Sequence, residues 1–158
     1  MRDKNSEGYT DKTAADAVRN AEDAIYQEKK KYLFSYKDMG EEIQRLTEEL
    51  EELRLNKICP SIVQDGMPRG SNQNDLSKYA AKVDEIERKI MKERYERIKR
   101  FEEIRNSIET LDNQEERNVL FYRYIKIRSF DWIAEEMHYS KRGIIYLHKR
   151  AVKNIKII

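Results

Sequence analysis

Apolar residues recur along the first third of the chain with the spacing of a packed helix. From Tyr32 to Leu53 the steps alternate between four and three residues, which is a heptad seam. The seam comprises Ile25, Tyr32, Tyr36, Met39, Ile43, Leu46, Leu50 and Leu53. We expect residues 1–11, which are polar, to be frayed, and a helix capped by Thr13 and Asp16 to follow them. Residues 1–56 therefore form the first predicted region.

Gly40 lies inside this seam and leaves two interpretations open. The region is either one long helix with a weak point or two helices jointed near residues 36–40. Asp38 and Glu41 have the spacing of a second capping box. This spacing favours the joint.

Residues 57–75 form a predicted loop, because they contain both prolines and a cluster of polar residues. A long connecting helix follows at residues 76–110, with one apolar stripe. The stripe comprises Tyr79, Val83, Ile86, Ile90, Phe101, Ile104 and Ile108. Arg94 and Arg97 fall on it, so we expect the helical contact to end before these charges.

Two seamed helices joined by a loop predict an antiparallel hairpin or coiled coil. In the hairpin, Leu46 and Leu50 face Val83 and Ile86 of the same chain. The alternative is a homodimer in which the Leu50 seams of two chains face each other.

Residues 111–158 predict a compact module of three short helices, so the fold class is all-α. Asp112 and Glu115 form a predicted capping box for a helix that runs to about Ile125. Ser129 is the predicted cap of the second helix. Trp132 of this second helix is expected to lie largely buried against the first helix of the module. The apolar residues expected inside are Val119, Leu120, Tyr124, Ile133, Ala134 and Met137.

The second and third helices have the pattern of a helix-turn-helix. Ala134 is small where the helices must cross, and Ser140 can cap the third helix. The turn between them needs a residue with positive φ. His138 occupies that position, and histidine tolerates this conformation better than most residues.

The third helix, Ser140–Ile155, has an apolar back and a basic front. Ile144, Leu147, Ala151, Ile155 and Ile158 share the back. A helix in the major groove needs donors for base edges and cations for phosphates. The base-reading candidates are Lys141, Arg142, Ile145, Tyr146 and Lys149, and the phosphate-binding candidates are Ser140, Arg150 and Lys153.

Charge is distributed in keeping with this interpretation. The formal net charge is only +2, yet the 21 residues from His138 to Ile158 carry six Lys or Arg and no acid. Such a local excess indicates contact with a polyanion such as double-stranded DNA. A single cysteine, Cys59, and the lack of a membrane-length apolar run predict a cytoplasmic protein without membrane contact.

No residues with the spacing of a catalytic, cofactor or metal site stand out. His138 and His148 are ten positions apart and Cys59 is distant, which does not match zinc-ligand spacing. His148 lies near the apolar side of its helix, so we expect it to be packed in the core. We therefore predict no enzyme activity, no metal and no cofactor.

The segment from Leu111 to Ile155 resembles the fourth region of bacterial sigma factors. The matching positions are Leu111, Glu115, Glu116, Arg117, Leu120, Arg123, Tyr124, Ile133, Ala134, Ser140, Ala151 and Val152. More of the chain resembles sigma-like transcriptional regulators of Gram-positive phages, of the ArpU/RinA type. The resemblance implies a transcriptional regulator that binds double-stranded DNA. RNA polymerase and a second copy of the chain are further candidate partners.

The recognition helix departs from the sigma pattern at two positions. Ile145 stands where sigma factors place a base-reading arginine, and Gly143 stands where they place a bulky residue. The resemblance thus implies the fold but not the sigma promoter specificity, and no DNA-melting region is visible. Two other classes stay open: an interaction protein whose C-terminal module docks another protein, and a phage DNA-packaging recognition subunit.

Overall fold

The computed structural model describes residues 7–58 and 73–157, with the side chains of residues 16–55 and 76–157. Regular structure in these ranges is entirely helical, which confirms the predicted all-α class. The elements are α1 (Glu7–Ile58), α2 (Gln73–Glu109), α3 (Gln114–Leu120), a π-helical turn (Phe121–Ile125), α4 (Phe130–Glu136) and α5 (Lys141–Asn154). α1 begins before the predicted start at Thr13. The predicted cap at Thr13 is therefore wrong, because Thr13 lies inside α1. Most of the predicted 57–75 loop lies outside the described residues.

The predicted joint near residues 36–40 is wrong, because α1 is a continuous helix through Gly40. A glycine in a helix costs about 1 kcal/mol relative to alanine. Here the missing side chain leaves room for a neighbour on α2. A Cβ at Gly40 would lie 3.3 Å from the Nε and Nη2 atoms of Arg97. The expectation that the helical contact ends before Arg97 is therefore also wrong.

Contacts divide the chain into two compact units. Unit 1 comprises the chain up to Tyr36 together with the chain from Glu102 onward, and unit 2 comprises Lys37–Phe101. The boundary falls within α1 and within α2, so each long helix contributes to both units.

The core of unit 2 joins the α1 seam to the α2 stripe. Leu50, Ile86 and Ile90 are buried. Around them pack Ile43, Leu46, Leu53 and Val83. The predicted contact of Leu46 and Leu50 with Val83 and Ile86 is thus present within one chain. The ion pair between Arg54 and Glu87 (2.5 Å) and the proximity of Gly40 to Arg97 show that the helices run antiparallel in this unit.

The core of unit 1 is formed by the short helices. Its buried cluster comprises Val119, Ile133, Ala134, Ile144 and Leu147, with Tyr122, Phe130, Trp132 and Met137 packed around it. α1 contributes Leu33, which is fully buried, and Phe34, whose ring packs edge-on against Tyr124 at 4.9 Å. Leu33 is not part of the predicted seam, whereas the seam residue Ile25 is 54% exposed. The heptad register therefore does not describe the N-terminal part of α1.

Two further details of this unit differ from the sequence prediction. The cap of α3 is Asn113 rather than Asp112, since the Asn113 side chain accepts hydrogen bonds from the backbone of Glu115 and Glu116. Trp132 is half-buried rather than largely buried. Its ring packs against Tyr122 at 5.4 Å, and the Arg128 guanidinium lies 4.9 Å from it. The predicted cap at Ser129 is confirmed, because its Oγ accepts a hydrogen bond from the backbone N–H of Trp132 (3.2 Å).

The chain leaves the π-helical turn through a strained residue. Ile127 has φ of 55°, a conformation that costs most L-residues roughly 1–2 kcal/mol and that disfavours β-branched side chains most. Its side chain is 44% exposed, so little packing depends on it.

We expect Ile127→Asn to raise the free energy of unfolding by about 1 kcal/mol, because asparagine adopts positive φ readily. Urea denaturation followed by Trp132 fluorescence measures the change. Ile157→Asn is the matched control, because Ile157 is 42% exposed and is not a positive-φ residue. A loss of stability in Ile127→Asn beyond that of the control would contradict the prediction.

Candidate nucleic-acid interface

The turn between α4 and α5 has the geometry that the sequence predicted. His138 has φ of 59°. Its backbone N–H donates to Glu135 O (3.2 Å), and the N–H of Tyr139 donates to Ala134 O (2.9 Å), which is a Schellman termination of α4. The Ser140 Oγ then accepts from the backbone of Gly143 (3.1 Å) and caps α5. The predicted roles of His138 and Ser140 in the turn are confirmed.

Gly143 has a local reason to lack a side chain. An alanine Cβ at this position would lie 3.2 Å from the Ser140 Oγ, which is closer than ordinary van der Waals contact. The cap and the glycine are therefore coupled, and the cap offsets part of the helix-propensity cost of glycine.

The back of α5 is buried as predicted. Ile144, Leu147, Ala151 and Ile155 are at most 6% exposed. Val152 is also fully buried and widens this face toward His148, while Ile158 lies outside the described residues. The buried face fixes the rotation of α5, and hence which side chains point outward.

Three candidate base-reading residues lie on the exposed front of α5. Arg142, Tyr146 and Lys149 are exposed, Tyr146 by 66%. Within the described side chains, none of the three forms a hydrogen bond or an ion pair. Their donors are therefore available to a ligand.

The other candidates already have partners within the protein. Lys141 pairs with Asp131 at 2.8 Å, and Lys153 lies 4.0 Å from Glu22; both pairs are exposed and so contribute little stability. Ser140 is used by the cap. These three residues remain accessible to DNA.

The last two candidates also form contacts within the fold. Ile145 is half-buried in the wall of a cavity, which favours packing over base reading. Arg150 donates from Nε to the carboxylate of Glu116, yet its side chain is 43% exposed, so it also stays accessible to a phosphate.

Glu116 has a role that was not predicted from the sequence. Its side chain is only 5% exposed and accepts from Arg150 and from the Asn154 amide (3.3 Å), which connects the start of α3 to the end of α5. A carboxylate this buried needs such partners to offset its desolvation. The acidic pair in the sigma-like pattern was the available signal, because Glu116 is the second of its two acids.

His148 is packed in the core, as predicted. It is 4% exposed, and its Nε2 lies 2.8 Å from the hydroxyl of Tyr124, with which it shares a hydrogen bond. Burial, together with the positive charges of Lys30, Arg123 and Lys149, lowers the pKa of His148 to about 4. The imidazole is therefore neutral at pH 7.

None of the described helices combines the length and apolar character needed to cross a membrane. Comparison with curated proteins and with solved structures finds no match. A family described as "Protein of unknown function (DUF1492)" matches residues 53–156, which include α2, the turn at His138 and α5. The match covers more than half of the sequence, so the chain belongs to the DUF1492 family.

Proposed function

We propose that this protein is a transcriptional regulator that binds double-stranded DNA in a sequence-specific manner, with α5 in the major groove. The observation that carries the proposal is the division of α5 into two faces. Its back is buried on the core of unit 1, while Arg142, Tyr146 and Lys149 on its front have no partner among the described side chains.

The local structure around α5 supports this role. A helix that reads base edges must be held rigidly by the helix before it. Here the Schellman turn at His138 and the Ser140 cap fix its start, and the Glu116–Arg150 pair fixes its later turns. Arg142 in the first turn suits bidentate donation to guanine, and Lys153 suits a phosphate. The resemblance to sigma factor region 4 and to phage regulators agrees with this assignment.

The proposed partners follow from this function. Double-stranded DNA is the ligand, and RNA polymerase and a second copy of the chain are the candidate protein partners. We propose a cytoplasmic location, because a regulator of transcription in a bacterial or phage-infected cell works where the genome lies.

A protein-docking role is the second candidate. The observation that favours it is an exposed apolar row in unit 2, where Met91, Tyr95 and Ile98 are each about 60% exposed and lie one turn apart on α2. Apolar residues at this spacing are typical of helix-mediated interfaces. If docking were the main role, DNA binding would be absent or insensitive to the front of α5.

Selection from a randomised DNA pool tests the main proposal. We expect the wild-type protein to enrich one motif. Arg142→Ala should relax the preference at one base position and cost about 1–3 kcal/mol on the wild-type motif, because a bidentate base contact is lost. Fluorescence anisotropy on the enriched duplex measures this cost.

Lys153→Ala is the matched control for this experiment. It should weaken all sequences alike and reduce the slope of log K against log salt by about 0.9, as expected for the loss of one phosphate contact. No enriched motif, or equal losses on every sequence for both variants, would overturn the proposed reading role of Arg142.

A further inference from the structure

A small cavity lies in unit 1 at the flank of α5. Its volume is about 190 Å³, and its walls come from α1, the π-helical turn, α4 and α5. Three cationic side chains line it, namely Lys30, Arg123 and Lys149, and none of the residues described as lining it is acidic. Of the three, only Lys149 belongs to the predicted DNA-binding face.

The arginine of this cavity is held in place before any ligand binds. The Nη1 of Arg123 donates to the backbone O of Arg128 at 2.9 Å. Its guanidinium lies 4.6 Å from the ring centre of Phe130 and 5.7 Å from that of Phe34. Cation–π contact with two aromatic rings restricts the guanidinium while leaving its other N–H groups able to donate.

The positive charge of this cavity is not neutralised within the described side chains. No ion pair joins Lys30, Arg123 or Lys149 to an acid there, although ion pairs are common elsewhere along α1 and α2. Burial, and after it this positive charge, lowers the pKa of His148 in the same wall. Three like charges around one small space repel each other, and an anion between them would remove that repulsion.

We propose that this cavity binds a phosphate group through Lys30, Arg123 and Lys149. A phosphate carries more charge than a carboxylate, and its oxygens match the planar donors of arginine. The site borders the recognition helix, where backbone phosphates lie when such a helix enters the major groove. The DNA backbone is the source that we expect, and to that extent the inference rests on the proposed function; a free phosphate compound is the other source.

The inference gives α1 a direct part in ligand binding. Lys30 belongs to the N-terminal helix and lies outside both the helix-turn-helix and the span of the family match. Its neighbour Lys31 is exposed and does not line the cavity. Lys30→Gln and Lys31→Gln therefore change the net charge equally at adjacent positions, and only the first removes a cavity cation.

The first arm of the test uses the full chain without DNA. Inorganic phosphate is added at constant ionic strength, balanced with chloride, and the ring protons of His148 are followed by NMR at pH 7. We expect a saturable shift in the wild-type protein and in Lys31→Gln, and a shift reduced at least several-fold in Lys30→Gln. Equal circular dichroism spectra verify that the variants are folded.

The second arm measures the salt dependence of DNA binding for the same three proteins. If a backbone phosphate occupies the cavity, Lys30→Gln should reduce the slope of log K against log salt by about 0.9, while Lys31→Gln should leave the slope unchanged. A response in this arm, with or without the first, supports a phosphate of DNA. A response to inorganic phosphate alone supports a free phosphate compound.

Two outcomes overturn the phosphate site. One is that neither arm distinguishes Lys30→Gln from the wild-type protein. The other is that Lys31→Gln has the same effect as Lys30→Gln, since the effect would then arise from surface charge in general. Absence of DNA binding by the wild-type protein contradicts the proposed function, and the inorganic phosphate arm still decides whether the cavity binds an anion.

Discussion

Ile144→Ala should lower the free energy of unfolding of unit 1 by about 2–5 kcal/mol. Ile144 is fully buried on the back of α5 and packs in the cluster of Val119, Ile133, Ala134 and Leu147. Removing three buried carbon atoms loses their transfer free energy and leaves a cavity that tight packing cannot close. Because the cluster contacts helices on both sides of the turn, we expect DNA binding to weaken with the fold.

Trp132 provides the measurement for this variant. It is the only tryptophan of the chain and packs against the same cluster, so its fluorescence reports unit 1 in a urea titration. Tyr146→Ala is the control, since Tyr146 is 66% exposed on the opposite face and should change stability by no more than about 0.5 kcal/mol. Similar losses in the two variants would show that the assigned faces of α5 are wrong.

Acid should destabilise unit 1 through His148 by about 3 kcal/mol between pH 6.5 and pH 4. The pKa of this group is about 4 in the folded protein and has an ordinary value of 6.5. Below pH 6.5 the unfolded chain therefore binds a proton that the folded chain does not. The stabilisation is complete above pH 6.5 and is lost progressively as the pH falls toward 4, at about 1.4 kcal/mol per pH unit.

His148→Gln isolates this contribution, because glutamine is polar and does not titrate. Carboxylates also protonate near pH 4, so the quantity to compare is the difference between the two proteins. We expect the unfolding free energy of the wild-type protein to fall more steeply than that of His148→Gln over this range. If the unfolding free energies of the two proteins fell in parallel with pH, His148 would be accessible to protons in the folded state.

Local chemistry explains which parts of the fold could be predicted from the sequence. The cap at Ser140, the positive φ of His138 and the buried back of α5 each depend on residues that are neighbours in the chain. The unit 2 core was also predictable, because the Leu50 seam and the Ile86 stripe repeat over several turns. In these cases the pattern alone determines the outcome.

Several incorrect predictions concern residues whose partners are distant in the sequence. Gly40 suggested a joint because glycine weakens a helix, and the structure shows that it accommodates Arg97 of another helix. Ile145 looked like a surface residue on a helical wheel, yet it lines a cavity whose wall includes α1, and the exposed Arg150 has a partner in Glu116 of another helix. A helical wheel does not contain these tertiary contacts. The positive φ of Ile127 had no signal at all, because isoleucine is disfavoured there.

Unit 1 is built from two separate segments of the chain, and this has a consequence during protein synthesis. Unit 2 is a single stretch of chain, Lys37–Phe101, whereas unit 1 needs α1 and the last helix together. The hydrogen bond from the Lys29 ammonium to the Lys153 backbone O (2.7 Å) joins residues 124 positions apart. Nascent chains fold from the N-terminus as they emerge from the ribosome. Leu33 and Phe34 are therefore synthesised well before the C-terminal helices that complete unit 1. Unit 2 can assemble in the meantime. The proposed DNA-binding unit thus folds after unit 2, and its activity reports that translation has passed α5.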